Sequence, residues 1–462
     1  MSAPKRPTQL YDVAIVGGEF AGVVAGAVLA RRGLRVLHVD DGRDRPDREE
    51  EGFLLPNTPD LLPSPRSLPA LHALIDELGM MPQLGRTIVP HARGLQLVLP
   101  DARLDLPPQE EERTRELQRA FGPGGPRWWQ ELQSIELPIR PWLEAAALLP
   151  PKSFFEAWKL RGPARRLQSA VEGEAPSGPL MDAARDLYDL LAPAPKSTIG
   201  LARTLWPLLS LPCHRPSPRL WRLLRAFISS HRGDLVDPPA AIERIEVERG
   251  GFAGVRFTGL TVSHRARVGI LALSPDRAAE LLAGSARRRA EILSQRLVPA
   301  ARRLTWNLVL PHRGLPPGLG TLALLQLGQE PVLLSVERTR DAAGKEVDGL
   351  FTVTATANFS IGTERDAALA ELRATVRQVL PFFERHARHE SVWEGTPMRY
   401  EVADKRLLGI EGLPLAGPLR RTLWASRLSL PGLGLEGSLL SGLRAAAIAR
   451  SWLEKKRASL PR

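Results

Sequence analysis

Residues 11–40 constrain the fold of this 462-residue chain more than any other stretch. Tyr11 to Val16 is a short apolar run rich in β-branched residues, the signature of a buried parallel strand. Gly17-Gly18-Glu19-Phe20-Ala21-Gly22 follows at once, and Val23 to Arg32 reads as a helix of small apolar residues that stops at Gly33. Leu34 to Val39 is a second buried strand with Asp40 at its end, 23 positions after Gly17. Strand, glycine turn, helix, strand and acid together define a βαβ unit of the dinucleotide-binding type. Gly17 suits the tight turn and Gly22 the close approach of helix to strand. Gly18 lies within the turn, and Asp40 has the spacing of a ribose-binding acid. At the middle position, where glycine lets the backbone approach a pyrophosphate, stands Glu19, which adds bulk and negative charge.

The far end of the chain has the other informative segment. Arg421 to Ser426 reads as a strand, Leu430-Pro431-Gly432-Leu433-Gly434-Leu435-Glu436-Gly437 as a loop, and Ser438 to Lys456 as a long helix. This stretch resembles the C-terminal flavin motif of the phytoene desaturase-like and amine oxidase-like FAD-dependent oxidoreductases. Pro218 to Leu224, Gly233-Asp234-Leu235, Ala241 to Val247, Gly254 to Phe257 and Val268 to Leu273 resemble the segment of that family that returns to the cofactor domain. The resemblance implies FAD as cofactor and a loop at Gly434, Glu436 and Gly437 facing its isoalloxazine ring. It also implies an adenine contact from the backbone at Ile242. Two further positions depart from the family pattern. Ser426 and Arg427 stand where it has Gly-Asp, and Asp41-Gly42-Arg43-Asp44-Arg45-Pro46 replaces its glycine-paired arginine loop. Because the turn after the first strand and the loop after the last would meet around the cofactor, an ion pair between Glu19 and Arg427 is expected.

The implied fold is α/β: a doubly wound, Rossmann-like FAD-binding domain from discontinuous segments, plus a mixed-sheet, helix-capped substrate domain. Residues 1–100, 215–290 and 415–462 are assigned to the first domain, and 101–214 and 291–414 to the second. Within the second, 101–214 reads as helical and irregular, with an apolar face carrying Trp128, Trp129, Trp142, Phe154, Phe155 and Trp158. Strands are expected at Leu304–Pro311, Thr321–Leu327, Val332–Thr339 and Leu350–Ala357, and a helix from Thr363 to Leu380.

Sixty-three Lys plus Arg against 51 Asp plus Glu give a formal charge of +12. The cations are spread along the chain with no compact basic block, so no nucleic-acid partner is expected. Cys213 is the sole cysteine, which excludes an internal disulfide, and a cytoplasmic location is the expectation. No run of about 20 uncharged apolar residues is present, so no spanning helix is expected. Lys152 to Arg161 mixes Phe154, Phe155 and Trp158 with cations, a composition that suits either a helix packed on its own domain or a helix at a lipid interface on the inner membrane surface. His386 and His389 are three apart without a third ligand, and Cys213-His214 has no assignable base, so neither a metal site nor a thiol nucleophile is expected.

Two readings of function stand. One is an FAD-dependent oxidoreductase that removes or relocates hydride on an apolar, lipid- or polyene-like substrate, with FAD supplying the chemistry. The other is a flavin-less relative that uses the fold as a binding or scaffold module. The sequence names no catalytic base.

Overall fold

The computed structural model describes residues 10–59, 61–62, 68–82, 84, 88–91, 93–133, 148–172, 178–192, 214–216, 219–238, 241–259, 263–395, 399–402 and 412–458. Cys213 and Trp142 lie outside them.

Leu10–Val16 is the hub of the first sheet. It runs parallel to Val36–Val39 on one side, with Ile15 opposite His38, and to His264–Leu271 on the other, with Ile15 opposite Ile270. Asp234–Val236 continues the parallel order beyond Val36–Val39, and Thr422–Trp424 pairs parallel with the end of His264–Leu271. An antiparallel hairpin, Ile242–Glu248 with Gly251–Phe257, completes the edge. The strand ends that carry Val16, Val39 and Leu271 therefore converge on one rim. In open α/β sheets, ligands bind outside such carboxyl ends.

The helix Phe20–Arg31 is buried at every residue from Ala21 to Ala30 because it lies between this sheet and the C-terminal helix Gly434–Ala458. That explains its small, uniformly apolar composition, which an amphipathic surface helix would not have. Its closest approach to the sheet is at Gly22, where an added Cβ would sit 2.2 Å from Ala272 Cβ and 2.9 Å from Ile15 Cγ2. Gly442 does the same for the C-terminal helix, since a Cβ there would lie 2.4 Å from the Ala21 carbonyl oxygen.

The second sheet is mixed and has ten strands among the described residues. Leu297–Pro311, Glu346–Ser360 and Val332–Asp341 form its antiparallel centre, with the helix Arg365–Arg377 packed against it. These elements contain the expected strands 304–311, 332–339 and 350–357, and Leu322–Leu325 lies within the fourth. The sheet also recruits strands from earlier in the chain: Asp47–Glu50, Phe53–Pro56, Leu95–Val98 and Arg103–Leu106. The chain thus enters the second sheet by residue 47, ahead of the boundary drawn at residue 100, and Arg103–Leu106 is a strand in a stretch read as helical and irregular. The cause is long-range pairing. Leu95–Val98 forms a local hairpin with Arg103–Leu106 but joins the sheet through Leu322–Leu325, and Asn57 is held when its carbonyl accepts from the Thr305 hydroxyl at 2.9 Å. Local sequence carries neither signal.

Candidate functional site

Glu19 sits at the start of the first helix, 3% exposed. Its carbonyl takes the first helical bonds, accepting from Gly22 N–H at 2.9 Å, but its carboxylate caps none of that helix's own amides. Instead Oε2 accepts the main-chain N–H of Arg427 at 2.8 Å. The two residues expected to pair are therefore neighbours, and the short contact runs through the Arg427 amide. The Arg427 guanidinium reaches Asp44 at 3.6 Å and still acts on Glu19 through space. Burial pushes the Glu19 carboxyl up to about 7. The Arg427 cation pulls it back, Asp44 adds to the rise, and the Ser426 hydroxyl and the Arg427 amide favour the ionised form. Ser426 is itself fixed, its hydroxyl accepting from Leu428 N–H at 3.1 Å.

Gly17 (φ +109°) makes the turn where an added Cβ would lie 2.1 Å from the Ala272 carbonyl oxygen. Gly18 fits for a different reason: a Cβ there would come 2.4 Å from Asp40 Oδ1. Its carbonyl accepts the indole N–H of Trp221 at 2.9 Å, and Arg225 lies over that indole at 4.7 Å. Asp40, fully buried, accepts from Gly42 N–H at 2.8 Å and from Arg45 Nε at 2.7 Å. Arg45 and Arg225 share Asp237, and Arg225 Nε approaches His38 Nδ1 at 3.3 Å. Burial, assisted by the Arg225 cation, drives His38 down to about 3, so it is neutral.

The remaining sequence candidates have contacts of their own. Ile242 is buried in the edge hairpin, with two strands between it and Leu10–Val16. Gly434 (φ +52°) opens the C-terminal helix. Gly437 allows that helix to approach the Leu430 carbonyl oxygen, 2.2 Å from an added Cβ. Glu436, buried, accepts from Ala70 N–H at 3.3 Å and so holds the start of the helix Pro69–Leu78. His389 lies between Glu50 and Glu51, at 3.7 and 3.1 Å, and among the described residues no group of three or more His, Cys, Asp or Glu side chains converges as a metal site would.

A cavity of about 270 Å³ opens beside the turn, lined by Phe20, Asp44, Arg45, Trp221, Arg303, Arg427 and Leu435 among others. Sequence reasoning passed over Trp221 as a plug and missed Arg303 altogether. Trp221 lay inside a recognised segment, Pro218 to Leu224, but nothing there marks a side chain that reaches back over 203 positions to Gly18.

No protein-family model matches the sequence, and no curated protein is significantly similar to it. Solved structures do match. An oxidoreductase from Methanosarcina mazei superposes with a TM-score of 0.59 at 13% identity, covering 94% of this chain and 100% of its own. Cyclohexylamine oxidase from Brevibacterium oxydans gives 0.57 at 16%, covering 96% and 99%. A geranylgeranyl bacteriochlorophyll reductase-like protein from Thermoplasma acidophilum gives 0.52 at 11%, covering 97% and 80%. The chain shares the fold of these structures.

FAD is the cofactor that the sequence resemblance implies, and at the phosphate turn the residues of this chain do not fit it. Where the fold rests a pyrophosphate on the first helix, a buried carboxylate already takes an amide of the opposite loop. The Gly18 carbonyl is covered by an indole, and the acid at the ribose position is satisfied by guanidinium. The cavity is below the roughly 300–1,000 Å³ that encloses a drug-sized ligand, and FAD is larger than such a ligand.

Proposed function

We propose that this chain is a flavin-less binding protein built on the FAD-oxidoreductase fold, with its own Glu19 carboxylate standing where the pyrophosphate would rest. The observation that carries the reading is the 2.8 Å contact from Arg427 N–H to Glu19 Oε2, which joins the two loops that would otherwise grip the dinucleotide. The wild-type protein is expected to purify colourless and to release no FAD on denaturation. Glu19→Gly, which removes bulk and repulsion together, is expected to bring FAD affinity into a range that titration with free FAD detects. A yellow wild-type protein with one FAD per chain would sink the reading. The second reading, hydride transfer by FAD on an apolar substrate, is favoured by the oxidases among the similar structures and by the reductase-like one. The same spectrum decides between them.

Contact with a membrane surface belongs to the proposal as well. Phe154, Phe155 and Trp158, expected on one apolar face with Trp129, are 77%, 61% and 59% exposed, whereas Trp129 is buried. They crowd the first two turns of the helix Phe154–Glu172, with Lys159 over the Phe155 ring at 4.7 Å and Arg161, Arg165 and Arg166 exposed along the same helix. Exposed aromatics beside cations suit the headgroup layer of an anionic bilayer. No helix among the described residues is long and apolar enough to cross one. Co-sedimentation with phosphatidylglycerol vesicles is expected, weakening with salt and lost when all three aromatics become serine. Equal recovery with phosphatidylcholine vesicles, or none with either, excludes it.

A further inference from the structure

Four arginines and one acid, Asp44, line the 270 Å³ cavity. Three of the four have carboxylates within reach. Arg45 holds Asp40 and Asp237 at 2.7 and 2.5 Å. Arg219 lies 3.9 Å from Asp47 and 3.6 Å from Glu337, and Arg427 lies 3.6 Å from Asp44. Arg303 has none. It rises from the strand Leu297–Pro311 with 7% of its surface exposed. Its Nε donates to Asn358 Oδ1 at 3.3 Å and its Nη2 to the Leu190 carbonyl, both neutral acceptors. Among the described residues Nη1 has no partner.

A buried cation without a counter-ion is costly, and such groups are normally paired. Burial and the nearby Arg427 cation pull Arg303 down to about 9, which still leaves it charged at neutral pH. The rest of the lining is apolar on several sides, with Phe20, Leu61, Leu62, Trp221, Trp393 and Leu435. We propose that this cavity binds a small organic carboxylate, its carboxyl group on Arg303 and its apolar body against Trp221 and Trp393. Guanidinium and carboxylate match as a planar fork, and the Nη1 edge of Arg303 is the one left for it. Asn358 and the Leu190 carbonyl fix the guanidinium plane, so little order is lost on binding. The volume suits a ligand with one ring or a short chain.

The inference rests on the flavin-less reading, because Leu435, in the first turn of the C-terminal helix, lies in the segment that would face the isoalloxazine ring. One sample therefore serves both questions. Its absorbance spectrum is recorded first, and 4-phenylbutanoate, 4-phenylbutanol and inorganic phosphate are then titrated while Trp fluorescence and calorimetric heat are followed. The carboxylate is expected to bind about tenfold or more tightly than the alcohol, the scale of a hydrogen bond to a charged partner. Phosphate, lacking the apolar body, is expected to bind more weakly than the carboxylate. Arg303→Met, which keeps the length of the stem and removes a buried charge, should erase the preference over the alcohol, and Arg303→Lys should restore part of it. If Arg303→Met does not fold, the carboxylate-to-alcohol ratio on the wild type still decides. Colourless protein that binds acid and alcohol equally, or only phosphate, overturns this inference alone. A flavin spectrum overturns both.

Discussion

Glu19→Gln is expected to be more stable relative to the wild type at about pH 8 than at about pH 5, by on the order of 3 kcal/mol. The sign follows from linkage. Glu19 titrates near 4.5 in the unfolded chain and is raised to about 7 in the folded one, so between those values the folded state holds the extra proton. The carboxyl's contribution to stability is fully present below pH 4.5 and is lost as the pH rises through 7. The magnitude is the distance between the two values at about 1.4 kcal/mol for each pH unit. His38 acts in the opposite sense. Buried and neutral, with its pKa down to about 3, it adds stability that is present above pH 6.5 and lost as the pH falls toward 3. The wild-type profile alone therefore mixes two slopes, and the difference between wild type and Glu19→Gln isolates one. Urea denaturation at half-unit pH steps measures it. A difference that stays flat from pH 4 to 8 means that Glu19 is ionised and compensated in the fold, and the account of its burial fails.

How much of this was legible in the sequence depends on the distance over which each feature is encoded. The βαβ unit was readable because Tyr11–Asp40 contains its own strand, turn, helix and acid, and each obeys a local rule. The central strands of the second sheet were readable because they are long apolar runs, and their buried positions leave little choice. The meeting of Glu19 with Arg427 was reachable from the resemblance alone, yet the contacting atom was not. A pattern that names side chains says nothing of an amide proton 408 residues away. Asp40 had the right spacing for a ribose acid, and the residues that engage it, Arg45 and Arg225, arrive from the next loop and from a helix 185 positions later. Arg303 was invisible for a related reason. Among 63 cations, what marks it is burial at a cavity wall with only neutral acceptors, and that appears only when the neighbours are assembled.

The largest expected loss of stability is at Gly22. Gly22→Leu should destabilise by about 3 kcal/mol or more, the upper end of the range for overpacking a core. Two features of the structure set that size. The added Cβ would fall 2.2 Å from Ala272 Cβ and 2.9 Å from Ile15 Cγ2, and neither neighbour can swing aside. Ala272 has a single methyl group on the end of a central strand, and Ile15 is fully buried between two parallel partners. The helix itself cannot retreat, because its other side is held at Gly442, where the C-terminal helix already lies against the Ala21 carbonyl. Gly22→Ala should show a smaller loss of the same origin. Gly33→Ala is the control: φ there is +77° but nothing lies within 4 Å of the new methyl, so only backbone strain of about 1–2 kcal/mol is expected. Thermal melts by circular dichroism should rank Gly22→Leu below Gly22→Ala, and Gly22→Leu below Gly33→Ala. Should Gly22→Leu melt with the wild type, the first helix does not approach the sheet at that residue, and the phosphate turn that places Glu19 is built differently.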